Sequence, residues 1–281
     1  MGTLYIVATP IGNLGDMTPR AVEVLRSVSL IAAEDTRHSA TLMREFDIQT
    51  PMISYHQHNR SARADRLGKA LLEGDVALIS DAGTPGISDP GHELVADAIK
   101  SGHSVVPIPG ASSLLAAVAA SGIVPGPFLF VGFLPRSGDE RSSVIGRAMT
   151  AGVPFVVFES PNRVASTLVD LARIDGDRAS VVARELTKLH EEFRRGTLQD
   201  LAEEFSGSGA TVRGEVVIVV GDASRSANVE PAQDSSELAR SLLLGGMKPS
   251  RAARELSSIT GIPATEAYEL VTRIGREKAG S

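Results

Sequence analysis

Residues 75–102, DVALISDAGTPGISDPGHELVADAIKSG, hold one complete strand, loop and helix. The run DVALI (75–79) is short and β-branched, which suits a buried parallel strand, and HELVADAIKSG has the periodicity of a helix. Between them, SDAGTPGISDPG (80–91) packs three glycines, two prolines and two aspartates into twelve positions. Each glycine lets the backbone take positive φ or admits a ligand closely, while Pro85 and Pro90 fix φ and stiffen the path. Asp89 followed by Pro90 predicts an N-cap and first helical position. Gly83, Thr84, Pro85, Gly86 and Ile87 exceed what capping requires and are ligand candidates.

Working outward, the same alternation recurs. Strands are expected at TLYIVA (3–8), LIAAED (30–35), MISYH (52–56), DVALIS (75–80) and SVVPIP (104–109), with helices near 19–28, 37–46, 61–73 and 90–101. This is an α/β pattern with a mostly parallel sheet. Thr18 and Pro19 predict the cap and first turn of the first helix. After PGASSLLAAVAASG the pattern changes: FLFVGF (128–133), PFVVFES (154–160), RASVVARELT (178–187) and RGEVVIVV (213–220) are strands with fewer helices between them. The expectation is an N-terminal α/β domain over 1–120 and a second, mixed-sheet domain over 121–222, with SGIVPGP (121–127) as hinge. A polar linker over 223–236 then leads to a helical segment, 237–281.

With 281 residues, 42% of them hydrophobic, the chain can bury real cores. It has no cysteine, which removes disulfides and thiolate metal sites and favours a reducing, cytoplasmic setting. The start reads directly into a strand, and no apolar run reaches membrane-spanning length, so no membrane association is expected. A net charge of −6 argues against a surface coated for nonspecific nucleic-acid binding, though not against a local basic patch. The general nucleotide motifs GxGxxG and GxxxxGK[ST] are absent from 80–91, and no GxSxG elbow surrounds Ser88, Ser112 or Ser113. His56 and His58 share a strand face, but no third ligand follows at a supporting spacing, so no metal is expected.

An ordered set of motifs is more specific. VATPIGNLGDMTPRAVEVL (7–25), AAEDTRHS (32–39), SYHQHN (54–59), the glycine–proline loop, PIPGASS (107–113), VFESPNR (157–163) and ARELTK (183–188) together resemble the tetrapyrrole methylase superfamily. Small-molecule members open with a GxGPGD-like loop where this chain has TPIGNLGD, and they lack AEDTR; the chain is therefore similar to the RNA-modifying branch. The resemblance implies two α/β domains with S-adenosylmethionine in the cleft between them, and it implies a homodimer. Carried over by motif, cofactor contacts fall to Pro10, Thr84, Pro85, Ile87, Ser112, Ser113, Glu159, Leu186, Gly214, Glu215 and Val216. The implied reaction moves a methyl group to the ribose 2′-oxygen of a cytidine near the decoding site of 16S rRNA, on the naked RNA or the 30S subunit.

Methyl transfer to a hydroxyl needs that group in line with the sulfonium and a base for its proton. Glu34 and Asp35 of AEDTR end a strand beside the expected cleft and are the catalytic candidates; His56 and Glu159 are rivals. Asp35 or Thr36 as a helix cap is the competing reading. Arg37 stands close enough to bind phosphate. Arg60, Arg63 and Arg66 fall on one helical face and either track RNA phosphates or solvate a surface helix. The tail carries +2 over 237–281 against −8 for the rest, and its two amphipathic helices around Gly-Ile-Pro suit packing or RNA docking equally. A small-molecule tetrapyrrole methyltransferase and a nonenzymatic RNA-binding protein remain the alternatives.

Overall fold

Alternating short apolar runs and amphipathic segments give, in chain order, β1 (Thr3–Val7), α1 (Pro19–Ser27), β2 (Leu30–Ala33), α2 (Thr36–Glu45), β3 (Met52–Ser54), α3 (Arg60–Glu73), β4 (Val76–Ile79), α4 (His92–Lys100) and β5 (Ser104–Ile108). The computed structural model describes residues 1–56, 60–207, 214–223, 234–244, 247–260 and 262–279. The five strands form one parallel sheet in the order β3-β2-β4-β1-β5. Every residue of β2 and β4 is buried, which explains why neither alternates polar with apolar. One core lies under α1 and α2, around Leu25, Ile31, Met43 and Ile79, and another around Leu4, Leu67, Leu71 and Leu78. Thr18 caps α1 by accepting from the Ala21 amide at 3.2 Å, with Pro19 opening the helix.

The chain continues as α5 (Ser113–Ser121), β6 (Leu129–Phe133), α6 (Gly138–Met149), β7 (Phe155–Glu159), α7 (Val164–Ala172), β8 (Ala179–Arg184), β9 (Glu192–Thr197), α8 (Leu198–Gly207) and β10 (Val216–Val220). These strands form a second sheet, β6-β7-β10-β8-β9, parallel between β6 and β7 and antiparallel elsewhere. Strand β9, EFRRGT, has no apolar alternation and escaped the sequence reading. It is an edge strand ordered by its ladder to β8, and charged side chains are what such an edge tolerates. Arg178 is wholly buried and donates to the carbonyls of Gly221 (2.8 Å) and Met149 (2.9 Å), tying the start of β8 to the end of β10. Ile11, Leu186, Val217 and Val219 share a core with Ala82 and Ala111, so the strand-end loops of the first sheet rest on the second.

These elements lie in one compact unit, Met1–Ser224; a second unit, Arg225–Ser281, contains α9 (Asp234–Leu244), α10 (Pro249–Thr260) and α11 (Ala264–Ala279). Its core of Ala239, Ala252, Ala253, Leu256, Ala267 and Val271 is rich in alanine, which lets helices approach closely. Helix α9 begins inside the stretch expected to be linker; residues 224–233 lie outside the described set. Among the described residues, no helix is long and apolar enough to cross a membrane.

Candidate active site

The carboxyl ends of β1, β2 and β4 open on one side of the parallel sheet, where ligands of open α/β sheets bind. The loop after β4 is held there by main-chain bonds: the Thr9 amide donates to the Gly83 carbonyl at 2.9 Å, and the Gly83 amide returns to Thr9 at 3.0 Å. Gly83 therefore spends both its polar groups on the fold. The loop takes positive φ at Gly83 (80°), Gly86 (83°), Ser88 (64°) and Gly91 (146°). A Cβ on Gly91 would stand 2.7 Å from Leu78 Cδ2, so this turn accepts only glycine. Helix α4 starts after it, at His92, with Gly91 as cap and no side-chain capping bond. The expected roles of Asp89 as cap and Pro90 as first helical residue are thus wrong, because the backbone turn at Gly91 intervenes. Freed from capping, Asp89 is half-buried in the wall of a cleft.

That cleft holds about 830 Å³, counting space open to solvent. One side is loop 80–91 and the start of α5: Thr84, Ile87, Ser88, Asp89, Ser112 and Ser113. The other comes from β7 and β10, where Glu159 and Val216 are cross-strand partners; this register brings VFESP and GEVV together. Gly214, Glu215, Val216 and Glu159 line it, with Phe133 and Phe158, whose rings meet edge-on at 5.6 Å. The phenylalanines, Ile11 and Asp89 were not foreseen as site residues. Among the described residues lining the cleft there are three carboxylates, Asp89, Glu159 and Glu215, and no lysine or arginine.

The carboxylates differ sharply. Glu159 is a fully occupied acceptor: the Ser160 amide reaches Oε1 at 2.8 Å, Thr167 Oγ1 reaches Oε2 at 2.7 Å, and Arg163 pairs with it at 3.2 Å. Arg141, itself buried, lies 3.9 Å away. Both of its oxygens are thus turned to protein donors. The Glu215 side chain is 64% exposed. Asp89 is surrounded by acids: burial first, then the negative charges of Glu34, Asp81 and Glu215, push its carboxyl up to about 6, against the nearby Ser80 hydroxyl.

A second cavity lies beside β1 and β2, lined by Pro10, Asn13, Asp35, Arg37, Ser80 and Asp81 among others. Pro10 thus belongs to this cavity and not to the cleft. Asp35 is the N-cap of α2, accepting from the Arg37 amide at 2.9 Å and pairing with the Arg37 guanidinium at 2.9 Å. Those bonds, the side-chain one first, hold its carboxyl down at about 2, so it is a poor base. Glu34 lines neither cavity. Burial raises its pKa, opposed by the Asp81 amide, which donates to it at 3.4 Å; His56 adds a smaller favourable charge. Asp81 in turn accepts from the Asp35 amide at 3.0 Å, lacing β2 to the loop.

Pro85 and Leu186 are buried and line neither cavity; Leu186 sits between Glu185 (φ 51°) and Thr187 (φ 66°), a pair of strained positions. Arg63 is half-buried and Arg66 exposed on α3, and neither lines either cavity. The Arg60 side chain, His58 and Arg213 fall outside what the structure describes. Among the described residues, no group of three or more His, Asp or Glu is placed to hold a metal ion.

Residues 3–202 match the family described as Tetrapyrrole (Corrin/Porphyrin) Methylases, and the chain belongs to it. It is 46% identical to the Ribosomal RNA small subunit methyltransferase I of Synechocystis sp., covering 96% of this chain and 97% of that protein. The protein of the same name from Halalkalibacterium halodurans is 40% identical, over 96% and 94% of the two chains. Among solved structures, a uroporphyrin-III C-methyl transferase from Thermus thermophilus complexed with S-adenyl homocysteine aligns with a TM-score of 0.55 at 19% identity, covering 79% of this chain and 98% of that one. A cobalt precorrin-4 methyltransferase aligns at 0.58 and 17% identity, over 78% and 94%. Both share the fold.

Proposed function

We propose that the protein is an S-adenosylmethionine-dependent rRNA methyltransferase that modifies the ribose 2′-hydroxyl of a cytidine in 16S rRNA, near the decoding site of the 30S subunit. The full-length relatives support the RNA substrate, and the difference in TPIGNLGD and AEDTR disfavours the small-molecule alternative. One observation carries the cofactor: the cleft joins an apolar, aromatic wall to carboxylates with no lysine or arginine among its described lining residues. S-adenosylmethionine is a net cation with an apolar body, and it supplies a methyl group activated on a sulfonium sulfur.

Phe133, Phe158 and Ile87 offer the apolar surface, and Asp89 and Glu215 the negative field that favours a cation. Ser112 and Ser113, at the N-terminus of α5, supply donors suited to a carboxylate. Gly214 (φ 82°) makes room at the cleft floor, where a Cβ would overlap the Glu185 carboxylate. The acceptor nucleotide enters from the second cavity, where Arg37, 89% exposed at its side chain, offers a guanidinium to phosphate. Arg63 and Arg66 on α3, outside both cavities, offer further positive charge to RNA phosphates. Pro85 and Leu186 support the cofactor from behind, and Glu34, Asp35 and His56 organise the strand ends. The protein acts in the cytoplasm as a homodimer; Val106 on β5 and Leu115 on α5 are exposed apolar side chains available to a second copy.

Mass spectrometry of 16S rRNA from a strain lacking the gene tests this reading. One cytidine should lose its ribose methyl and regain it when purified protein and S-adenosylmethionine are added to the mutant 30S subunits. Unchanged rRNA methylation, or label transferred to a precorrin-like substrate instead, would overturn it.

A further inference from the structure

We propose that Asp89 is the proton acceptor of the transfer, a role resting on the reading of the cleft as the methyl-transfer site. The acceptor hydroxyl oxygen forms its bond to the methyl carbon as the sulfur–carbon bond breaks, with that electron pair left on sulfur. The hydroxyl proton passes to the Asp89 carboxylate and then to solvent.

Position argues for it first. Of the carboxylates at the ends of β2 and β4, Glu34, Asp35, Asp81 and Asp89, only Asp89 lines the cofactor cleft. Asp35 and Asp81 face the second cavity, and Glu34 faces neither. Of the other acids in the cleft, Glu159 is saturated by donors and Glu215 is largely exposed beside Lys188, at 4.0 Å.

The loop is also built to present this residue. An aspartate before Pro-Gly would ordinarily cap a helix, but the turn at Gly91 delays α4, and Ser88 immediately before Asp89 holds a φ of 64°. Backbone strain of this kind persists where the surroundings impose it. The lacing through Asp81, to the Asp35 amide at 3.0 Å and from its own amide to Glu34 at 3.4 Å, fixes the loop against the sheet.

Electrostatics then suits the task. The charged groups that bear on Asp89 are Glu34 at the end of β2, Asp81 in its own loop and Glu215 before β10, all negative, with the nearby Ser80 hydroxyl acting in the opposite sense. With a pKa of about 6, Asp89 is ionised at neutral pH yet more basic than an ordinary aspartate, the condition for an efficient base.

The test measures single-turnover methylation of 30S subunits lacking the modification, at saturating cofactor, for the wild type, Asp89→Asn and Asp89→Glu. Alongside it, carboxyl 13C NMR titrates Asp89 in the cofactor-free wild type and in Glu34→Gln, and calorimetry gives S-adenosylmethionine affinity. Asp89→Asn should slow the single-turnover rate by at least about 100-fold, and Asp89→Glu should recover part of the loss. At saturating cofactor the wild-type rate should fall on the acid side of the profile, at a pH below the cofactor-free value of about 6 because the bound cation favours the carboxylate. Both that limb and the NMR titration should move to lower pH in Glu34→Gln, which removes a like charge. A rate for Asp89→Asn within about threefold of wild type overturns the proposal alone. If the Asn variant fails to fold, an Asp89 titration or a rate limb that ignores Glu34→Gln overturns it equally. Wild-type protein that binds cofactor but leaves 30S unmethylated strikes instead at the rRNA reading, and the acceptor role falls with it.

Discussion

The chain leaves β2 and β4 through acidic residues in both cases, and the two exits put those acids to opposite uses. After β2 the helix starts at once: Asp35 caps α2, and its carboxylate is committed to the Arg37 amide and guanidinium. After β4, twelve residues from Ser80 to Gly91 intervene, the backbone turns at Gly91, and Asp89 is left half-buried among like charges. The same side chain is held at about 2 in one exit and about 6 in the other. Loop length and a glycine turn, rather than residue type, set which acid can work as a base. Glu159 extends the first kind of use to its limit, with both carboxylate oxygens taken by protein donors.

The largest effect is expected at Glu159. If its carboxylate is an architectural acceptor, Glu159→Gln leaves Arg141 and Arg163 facing an amide in a buried site. Removing one partner of a buried ion pair costs about 3–5 kcal/mol, so urea unfolding should show a loss of that order. A stable Gln variant with a slow methylation rate would instead move Glu159 into the chemistry.

Asp89 should respond with the opposite sign. Its folded pKa of about 6 exceeds that of an unfolded aspartate, so the native state binds the extra proton, and stability falls as pH rises from about 4 to 6. Above that window the ionised side chain is a standing cost. Asp89→Asn removes it and should stabilise the cofactor-free protein at pH 8 by on the order of 1–2 kcal/mol after solvent screening, a gain that vanishes toward pH 4. Thermal melts across that range check it; a variant less stable at pH 8 than the wild type would mean Asp89 is a structural acceptor like Glu159. Stability gained where activity is lost is what a functional carboxylate predicts.

Much of this was legible in the sequence, and the failures have physical causes. Buried β-branched runs and the Thr18–Pro19 cap are local signals, so both the strand order along the chain and the first helix could be read directly. Strand β9 was invisible because its order comes from pairing with the neighbouring strand β8, and EFRRGT carries neither the apolar alternation nor the turn signal that would advertise it. At the site, the motifs VFESP and GEVV mark their place, but their convergence depends on the β7–β10 register. Asp89 was misread because Asp-Pro is a strong local cap signal, whereas α4 starts only at His92, behind the positive-φ turn at Gly91. The following glycine was the available clue. Phe133 and Phe158 read simply as strand hydrophobics, since nothing local says which face of a sheet meets a cleft.

The smallest effect is expected at Asp35, and its smallness is the sharpest form of the comparison. Asparagine caps helices as well as aspartate does, so Asp35→Asn keeps the bond to the Arg37 amide and loses only an ion pair whose arginine side chain is 89% exposed. The wild-type carboxylate is ionised down to about pH 2; whatever stability it lends is present above the ordinary aspartate range and fades only as pH falls toward that value. It therefore contributes no limb to a rate profile between pH 5 and 9. Single-turnover methylation by Asp35→Asn should stay within about threefold of wild type and keep the acid limb that Asp89→Asn abolishes. If instead the Asp35 variant loses that limb, the proton goes to the β2 exit, and the carboxylate bound to Arg37 must let go of it when the acceptor enters.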